Sequence, residues 1–489
     1  MTDDAYQLVI GGRTVPGEDG TYAVTNPARP TEVVLEAPSA SHDQLDQAVR
    51  AARAAQPAWA ALDAGERAAL VIAAAEAAGR AVESGDLATL LTREHGKVLW
   101  EAMFDAGTVG AMASSFAPVA ASANEARARE VPGKHTEVRR VPHGVVAALL
   151  PFNWPVAVMG NKVVPALLTG NAVVVKAPPS CPGAVLRTVA AMASLLPDGV
   201  LNVLNGPQPA LGAALVAHPG VDMVSFTGGV STGQAVMAAA AASTKPVVLE
   251  LGGNDPAILA PDVEIDEALA DKIVGATFVT SGQVCMAIKR LYVPEERRAE
   301  VIEALANRLS ADVVGDGLAE GVTMGPVHLE ASAARVEAML EEAEQLGAKV
   351  SRPAQVREGD VAQGGYFVPP ALVDNPPTSA RIVTEEQFAP ALPVLGYGDL
   401  EQAVAMANDT EFGLCASIWS NDAELASSVA HRLEAGTVFV NAHGMSAMDP
   451  SAPMGGWKSS GFGVELGPEG MRAFTRPQVL LTHPGPGKG

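Results

Sequence analysis

Through the middle of the chain, short apolar runs rich in β-branched residues alternate with helix-length segments. Val145–Leu149, Ala172–Lys176, Leu201–Leu204, Met223–Phe226 and Val247–Leu251 read as strands. Pro155–Leu168, Pro182–Leu196, Gln208–Ala217 and Ser231–Ala242 read as the helices between them. Strands alternating with helices predict a parallel sheet with right-handed crossovers. Before this region, two β-like runs (Tyr6–Ile10, Tyr22–Thr25) precede an Ala-rich helical stretch over about Leu45–Val119, in which Leu70, Ala74, Ala77, Ala78 and Ala81 recur at helical spacing. Ser41 is its expected N-cap, with Asp43 and Asp46 in the first turn. A second α/β portion runs from about Gly252 to Thr437, with strands near Arg290–Val293 and Leu392–Leu395 and a loop over Val361–Phe367. The tail Arg472–Thr482 reads as β, ahead of a Pro/Gly terminus expected to fray.

At 489 residues the chain exceeds the ~250–300 at which one hydrophobic core stops growing, so two or three units are expected. Its 48% hydrophobic and 18% charged residues belong to an ordered globular protein. Aromatics make up only 4%, and abundant Ala, Val and Gly favour layered α/β packing, where small residues let helices lie close to a sheet. A net charge of −22 argues against nucleic-acid partners, because binding a polyanion depends on Lys and Arg displacing counterions. Cys181, Cys285 and Cys415 are too few for a disulfide scaffold and lack zinc spacing, so no metal site is expected. The acidic opening Met1-Thr2-Asp3-Asp4 lacks a signal-peptide layout. The apolar stretch at Val145–Pro151 is broken by Asn153, Asn161 and Lys162 before reaching membrane-spanning length. These features point to a cytoplasmic enzyme with neither membrane nor nucleic acid as partner.

Four places could carry chemistry, and each has a plainer alternative. Cys285 follows Ser281-Gly282-Gln283-Val284, a loop closing an apolar helix, where a helix end or nearby cation can lower a thiol pKa from ~8.5. Otherwise it is a packing cysteine, as Cys181 in its Pro-rich turn and Cys415 in an apolar strand-like run are read to be. Glu250 stands in a β-branched run ahead of Gly252-Gly253; buried, it would have the raised pKa of a general base, and on an edge strand it would face water. Asn153, between a strand and a helix, is placed to donate to an oxyanion, worth ~2.7–4 kcal/mol in catalysis, or to act as an N-cap. The chain lacks a G-x-G-x-x-G fingerprint. Phe226-Thr227-Gly228-Gly229-Val230-Ser231-Thr232-Gly233 instead offers glycines and a helix N-terminus to an anion, with Lys176 ending a neighbouring strand, unless those glycines serve the turn alone.

In order and spacing, Pro151–Pro155, Lys176, Phe226–Gly233, Glu250–Gly253, Gly282-Gln283-Val284-Cys285, Glu385-Glu386-Gln387-Phe388-Ala389-Pro390 and Pro453-Met454-Gly455-Gly456 resemble the aldehyde dehydrogenase superfamily, over about Pro27 to Thr475. The resemblance implies an α/β fold with a Rossmann-like NAD(P)-binding domain (1–124 and 142–251) and an α/β catalytic domain (252–440). A small β arm (125–141 and 470–489) would mediate a homodimer or homotetramer. The implied reaction is oxidation of an aldehyde to the carboxylic acid by NAD or NADP. Cys285 would attack the carbonyl, the Asn153 side chain and the Cys285 N–H would hold the thiohemiacetal oxyanion, and Glu250 would activate water against the thioester. Lys162 and Glu465 match positions near that base. Lys176 would bind the adenosine ribose, Glu386 the nicotinamide ribose, and Phe388 would pack near the nicotinamide. Phe152, Pro179, Thr227, Gly228, Gly229, Thr232, Leu251 and Gly252 match the rest of the cofactor site. The aldehyde pocket maps to Trp154, Val158, Asn161, Val284, Met286 and Met454, with Met448 beside them.

Several positions depart from the family pattern. Gly229 stands where serine is usual, Ser231 where Glu or Ala is frequent, Ala389 where glycine is usual and Met454 where Phe is common. Pro179 occupies the place of a glutamate that NAD-preferring members use on the adenosine ribose, so a 2′-phosphate is not repelled and both cofactors stay open. With no cluster of Arg or His in the pocket, a medium-sized apolar or aromatic aldehyde is expected rather than a dicarboxylic semialdehyde. Three rivals are a coenzyme A-acylating enzyme, a cofactor-free cysteine hydrolase and a non-catalytic scaffold. The presence of Glu250 opposes the first, the unremarkable contexts of His143, His218 and His443 the second, and the filled nucleophile, base and oxyanion positions the third.

Overall fold

The computed structural model describes residues 6–83, 86–132 and 134–483, an α/β molecule built on two sheets. The expected fraying at 484–489 lies outside the described residues, as does the acidic opening. The five predicted strands form the centre of an eight-stranded sheet; counted along the chain they are ordered 3-2-1-4-5, all parallel. Val145–Leu149 and Ala172–Lys176 are buried at every residue, which is why they read as unbroken apolar runs: helices cover both faces. Pro155–Leu168, Gly183–Ala193, Pro209–Ala217 and Val230–Ala241 supply the crossovers. Leu8–Ile10 and Arg13–Val15 extend one edge. Gly461–Phe462, from a stretch the expected division left unassigned, pairs antiparallel on the other.

The second sheet has seven strands, in spatial order Lys349–Ser351, Ala371–Asp374, Ala391–Tyr397, Ile288–Pro294, Asp255–Leu259, Cys415–Trp419 and Thr437–Val440. The sequence foresaw the Ile288–Pro294 and Ala391–Tyr397 strands and the Cys415 run. Asp255–Leu259 escaped because Pro256 masks its apolar pattern. The expected loop Val361–Phe367 begins on the last residue of a short helix, Glu358–Val361.

The Ala-rich region resolves into four helices, His42–Ala61, Ala64–Glu83, Asp86–His95 and Leu99–Ala123. Ser41 caps the first in a capping box with Gln44; Asp43 alone lies in that first turn, while Asp46 binds His218 at 3.0 Å. The buried stripe of the second is Val71, Ala74, Ala75 and Ala78, shifted from the expected one because Leu70 and Ala77 are only partly covered. Arg127–Val131, Lys134–Pro142 and Thr475–Thr482 form a separate three-stranded sheet, with Arg472 and Ala473 ending a helix (Gly467–Ala473) rather than starting the strand. Among the described residues no helix is long and apolar enough to cross a membrane.

One short crossing fixes the site. Glu250 ends the Val247–Glu250 strand of the first sheet and Asp255 opens the first strand of the second, so Leu251-Gly252-Gly253-Asn254 passes between them.

Candidate active site

In a parallel sheet ordered 3-2-1-4-5, connections leave the first and fourth strands in opposite directions, opening a crevice at their carboxyl ends. From the first strand comes Pro151-Phe152-Asn153-Trp154-Pro155; from the fourth come Gly228 and Gly229. Trp154, not Asn153, is the N-cap of the Pro155–Leu168 helix. That frees the buried Asn153 side chain, whose Nδ2 donates to Gln283 O at 2.9 Å. Behind the loop is a fully buried ion pair, Lys97 with Asp105, at 2.8 Å. Lys97 Nζ also donates to Asn153 O at 2.6 Å, and Asp105 Oδ1 accepts from Ala157 N–H at 2.8 Å. Sequence patterning did not reveal this buttress, because an isolated Lys and Asp on a helical stretch read as solvated.

Cys285 is presented by an unusual turn. Thr280, Ser281 and Gly282 all have positive φ (53°, 55° and 70°), a conformation costly for the two residues with side chains. It is held from several directions: Thr280 N–H donates to Glu101 Oε1 at 2.6 Å, Ser281 Oγ to Gly325 O at 2.8 Å, and His328 N–H to Gln283 Oε1 at 2.9 Å. At Gly282 a Cβ would lie 2.5 Å from Ala389 O, so glycine alone fits. Cys181 and Cys415 are fully buried, whereas Cys285 keeps partial access, which separates it from a packing cysteine. Burial still pushes its thiol up to about 12, with Lys289 opposing and Glu386, Asp255 and Glu250 adding to the rise.

Glu250 lies between two strands, not on an edge, and is buried. Burial first, then the neighbouring Glu465, raises its carboxyl well above the usual range against the pull of Lys162. Lys162 pairs with Glu465 at 2.5 Å, and Ser225 Oγ lies 3.2 Å from Lys162 Nζ. Glu250 Oε1 is buried with no protein partner. Three residues on, a Cβ at Gly253 would stand 2.7 Å from Cys285 O. The Cys285 loop, the Asn153 amide and the strip that follows Glu250 are therefore neighbours, with Lys162 and Glu465 beside the carboxylate.

The crevice has the makings of a dinucleotide site. Gly229 caps the Val230–Ala241 helix, whose first-turn N–H groups, Thr232 among them, have no acceptor within the helix. Gly228 packs over the Phe226 ring, where a Cβ would clash at 2.5 Å, and Gly233 meets Leu251 at 2.3 Å. Around Gly229 no atom lies within 4 Å of a Cβ position, so serine would also fit there. Thr227 Oγ1 is buried without a partner. Lys176 is buried, donates only to Ala177 O at 2.8 Å, and has its pKa lowered to about 8 by that burial. Glu386 accepts from Gly253 N–H at 3.2 Å, leaving no room for a Cβ at Gly252. Phe388, at φ 48°, stands edge-on to Phe152 with centroids 6.0 Å apart. Pro179 is exposed, its carbonyl accepting from Tyr22 Oη at 2.7 Å.

Comparison with known proteins places this arrangement. The sequence model described as the aldehyde dehydrogenase family matches residues 14–480. The chain belongs to the aldehyde dehydrogenase family. It is 37% identical to the geranial dehydrogenase of Castellaniella defragrans, covering 97% of this chain and 98% of that protein. It is 36% identical to the 3,6-anhydro-alpha-L-galactose dehydrogenase of Streptomyces coelicolor, over 97% and 95%. Among solved structures, an E. coli NADP-dependent enzyme superimposes with a TM-score of 0.92 at 32% identity, covering 99% of each chain. Betaine aldehyde dehydrogenase of Staphylococcus aureus in complex with NAD+ does so with a TM-score of 0.92 at 31% identity, covering 99% of this chain and 95% of that one. This aldehyde dehydrogenase is accordingly an oxidoreductase that uses NAD or NADP.

On the far side of Cys285 the dehydrogenase has a cleft of about 670 Å³. Trp154, Val284 and Met286 line it, as the sequence suggested. Val158, Asn161, Met448 and Met454 do not. Val158, Met448 and Met454 pack against the apolar cluster beneath the cleft, and Asn161 Oδ1 is buried without a partner. Met454 exchanges both backbone hydrogen bonds with Glu465, which draws it behind the carboxylates. In their place the lining includes Trp100, Phe104, Val279, Trp419, His443 and Met445. Trp100 and Phe104 lie on the Leu99–Ala123 helix, whose first turns also expose Met103, an apolar edge that no periodicity marked because the whole helix is apolar.

Proposed function

We propose that this enzyme oxidises a medium-sized apolar or aromatic aldehyde to the free acid through a covalent thioester on Cys285. The observation carrying the assignment is the Asn153 amide bonded to the Gln283 carbonyl beside the cysteine, with the unpartnered Glu250 oxygen nearby. Once its thiol has given up its proton to solvent water, Cys285 adds to the aldehyde carbon as the thiolate, and the carbonyl π bond opens onto oxygen. The Asn153 side chain and the Cys285 N–H stabilise the oxyanion that forms. NAD(P)+, held by the residues named below, would supply the acceptor for the hydride lost as the thiohemiacetal becomes the thioester. Glu250 then takes a proton from water, which attacks the acyl carbon and expels the thiolate; Lys162 and Glu465 carry the proton onward.

For the cofactor, Lys176 and Glu386 are proposed to hold the two riboses. Thr227, Gly228, Gly229 and Thr232 would take the pyrophosphate, and Phe152, Phe388, Leu251 and Gly252 the nicotinamide side. We assign residues 1–124 and 142–251 to the nucleotide-binding domain and 252–440 to the catalytic domain. Residues 125–141 and 470–489 form an arm that joins subunits of a cytoplasmic homo-oligomer.

The substrate class follows from the cleft. Its walls carry three tryptophans, a phenylalanine and two methionines. The Trp154 ring already has Lys97 Nζ 3.9 Å from its centroid, so Trp100, Trp419 and Phe104 supply the aromatic surface open to a substrate. Asp271 at the rim is bound by Arg308. The test is a panel of aldehydes with NAD+ and NADP+, reading nicotinamide reduction and product. Terpenoid or aryl aldehydes giving the highest kcat/KM, with free acid as product, is the expected result. Preference for betaine aldehyde or succinic semialdehyde, or acyl-CoA as product, overturns it.

A further inference from the structure

Behind the nucleophile loop lies a cation that the sequence did not single out. Lys289, on the Ile288–Pro294 strand, is 3% exposed. Its ammonium reaches three oxygens: Val284 O at 2.9 Å, Cys285 O at 2.6 Å and Glu386 Oε1 at 3.2 Å. Three donors meet three acceptors, so the side chain has no capacity left for any other partner.

The identity of those acceptors matters. The Val284 carbonyl belongs to the same peptide unit as the Cys285 N–H, the group facing a developing oxyanion in the proposed reaction. A hydrogen bond from an ammonium to that carbonyl withdraws electron density from the amide and strengthens its N–H as a donor. The bond to Cys285 O fixes the next peptide plane, so the turn carrying the sulfur is clamped on both sides of the residue. The third contact leads elsewhere: Glu386 also accepts from Gly253 N–H at 3.2 Å, on the strip that follows Glu250. The charged groups acting on the thiol are Lys289, Glu386, Asp255 and Glu250, and Lys289 is the one cation among them. Without it, three carboxylates would face a sulfur that must become an anion.

We infer that Lys289 is a positioning residue for the oxyanion site: it polarises and fixes the Val284–Cys285 peptide, and through Glu386 it links that peptide to the proposed nicotinamide ribose site. This rests on Cys285 being the nucleophile. The role belongs to the peptide and its charge, so a neutral side chain of similar length should not replace it, whereas another cation should restore most of it.

The full-length enzyme and its Lys289→Met and Lys289→Arg variants are compared in two ways. The first is the rate of Cys285 alkylation by iodoacetamide across pH, followed by mass spectrometry. The second is kcat and aldehyde KM measured separately. For Lys289→Met the alkylation profile should move to higher pH by about one unit, roughly a tenfold slower reaction at neutral pH. Its kcat should fall about 10–100-fold with KM changed less than about threefold. Lys289→Arg should recover most of both. If Lys289→Met does not fold, Lys289→Gln, which keeps N–H donors without charge, is held to the same expectation. An unchanged alkylation profile in a folded neutral variant, or equal losses in the Arg and neutral variants, overturns the inference. Failure of the underlying assignment looks different: alkylated wild-type enzyme would retain full NAD(P)H formation.

Discussion

Cys285, Asn153 and Glu250 divide the proposed chemistry between a sulfur, an amide and a carboxylate, and each predicts its own loss. Cys285→Ala should reduce NAD(P)H formation at least about a thousandfold, measured in a folded variant. Asn153→Ala should lower kcat by about 10²–10³ with little change in KM. Glu250→Gln should give a burst of one nicotinamide reduced per site and then almost no turnover, seen by rapid mixing; an unaltered steady-state rate would remove Glu250 from its role. Burial and Glu465 raise the Glu250 carboxyl well above the usual range, and a base works only once ionised. Deacylation should therefore quicken as pH rises and fade as it falls, with its midpoint above the ordinary carboxylate range, and Glu250→Gln should abolish that dependence. Taken singly, each had a plainer reading, as a packing cysteine, an N-cap asparagine or a water-facing glutamate, and only the order and spacing of the motifs around them made them legible as candidates. Lys289 and Lys97 were not, since a lysine in sequence looks the same whether it is solvated or clamped by carbonyls.

At the scale of elements, the Leu99–Ala123 helix serves both halves of the site. Its first two turns supply Glu101, which anchors the left-handed turn at Thr280, and Trp100 and Phe104, which wall the cleft proposed for the aldehyde. Burial, opposed mainly by the Thr280 N–H, raises the Glu101 pKa to about 7 from 4.5. Its contribution to stability is thus full below its unfolded pKa of about 4.5 and is lost as pH rises through 7. The fall in Tm between about pH 5 and 8 should be smaller in Glu101→Gln than in the parent, though Glu94, also raised to about 7 by burial, keeps part of it. Phe104→Ala should raise KM for an apolar aldehyde about fivefold, the value of a half-exposed ring on binding, and leave a short aldehyde unaffected. The strands of the first sheet were readable almost to the residue because burial on both faces makes them uniformly apolar. The cleft was readable only at Trp154, Val284 and Met286, since its walls come from two helices, three loops and a strand that only the tertiary fold brings together.

The whole molecule carries an eight-residue edge strand, Thr475–Thr482, with Val479 and Leu481 more than half exposed. An edge of that length with apolar side chains invites pairing with a second subunit. Val479→Asp combined with Leu481→Asp should convert the proposed oligomer to a monomer, read by analytical ultracentrifugation; an unchanged mass would place the interface elsewhere. The two large sheets meet at Leu251–Asn254, four residues flanked by the carboxylate proposed as base and by Asp255, whose Oδ1 accepts from Cys415 N–H at 3.1 Å. The strip tethers Glu250 to the second sheet, while Thr280 N–H on Glu101 and Asn153 Nδ2 on Gln283 O tie the sulfur's turn back to the first, so carboxylate and sulfur are kept in one register by bonds running both ways.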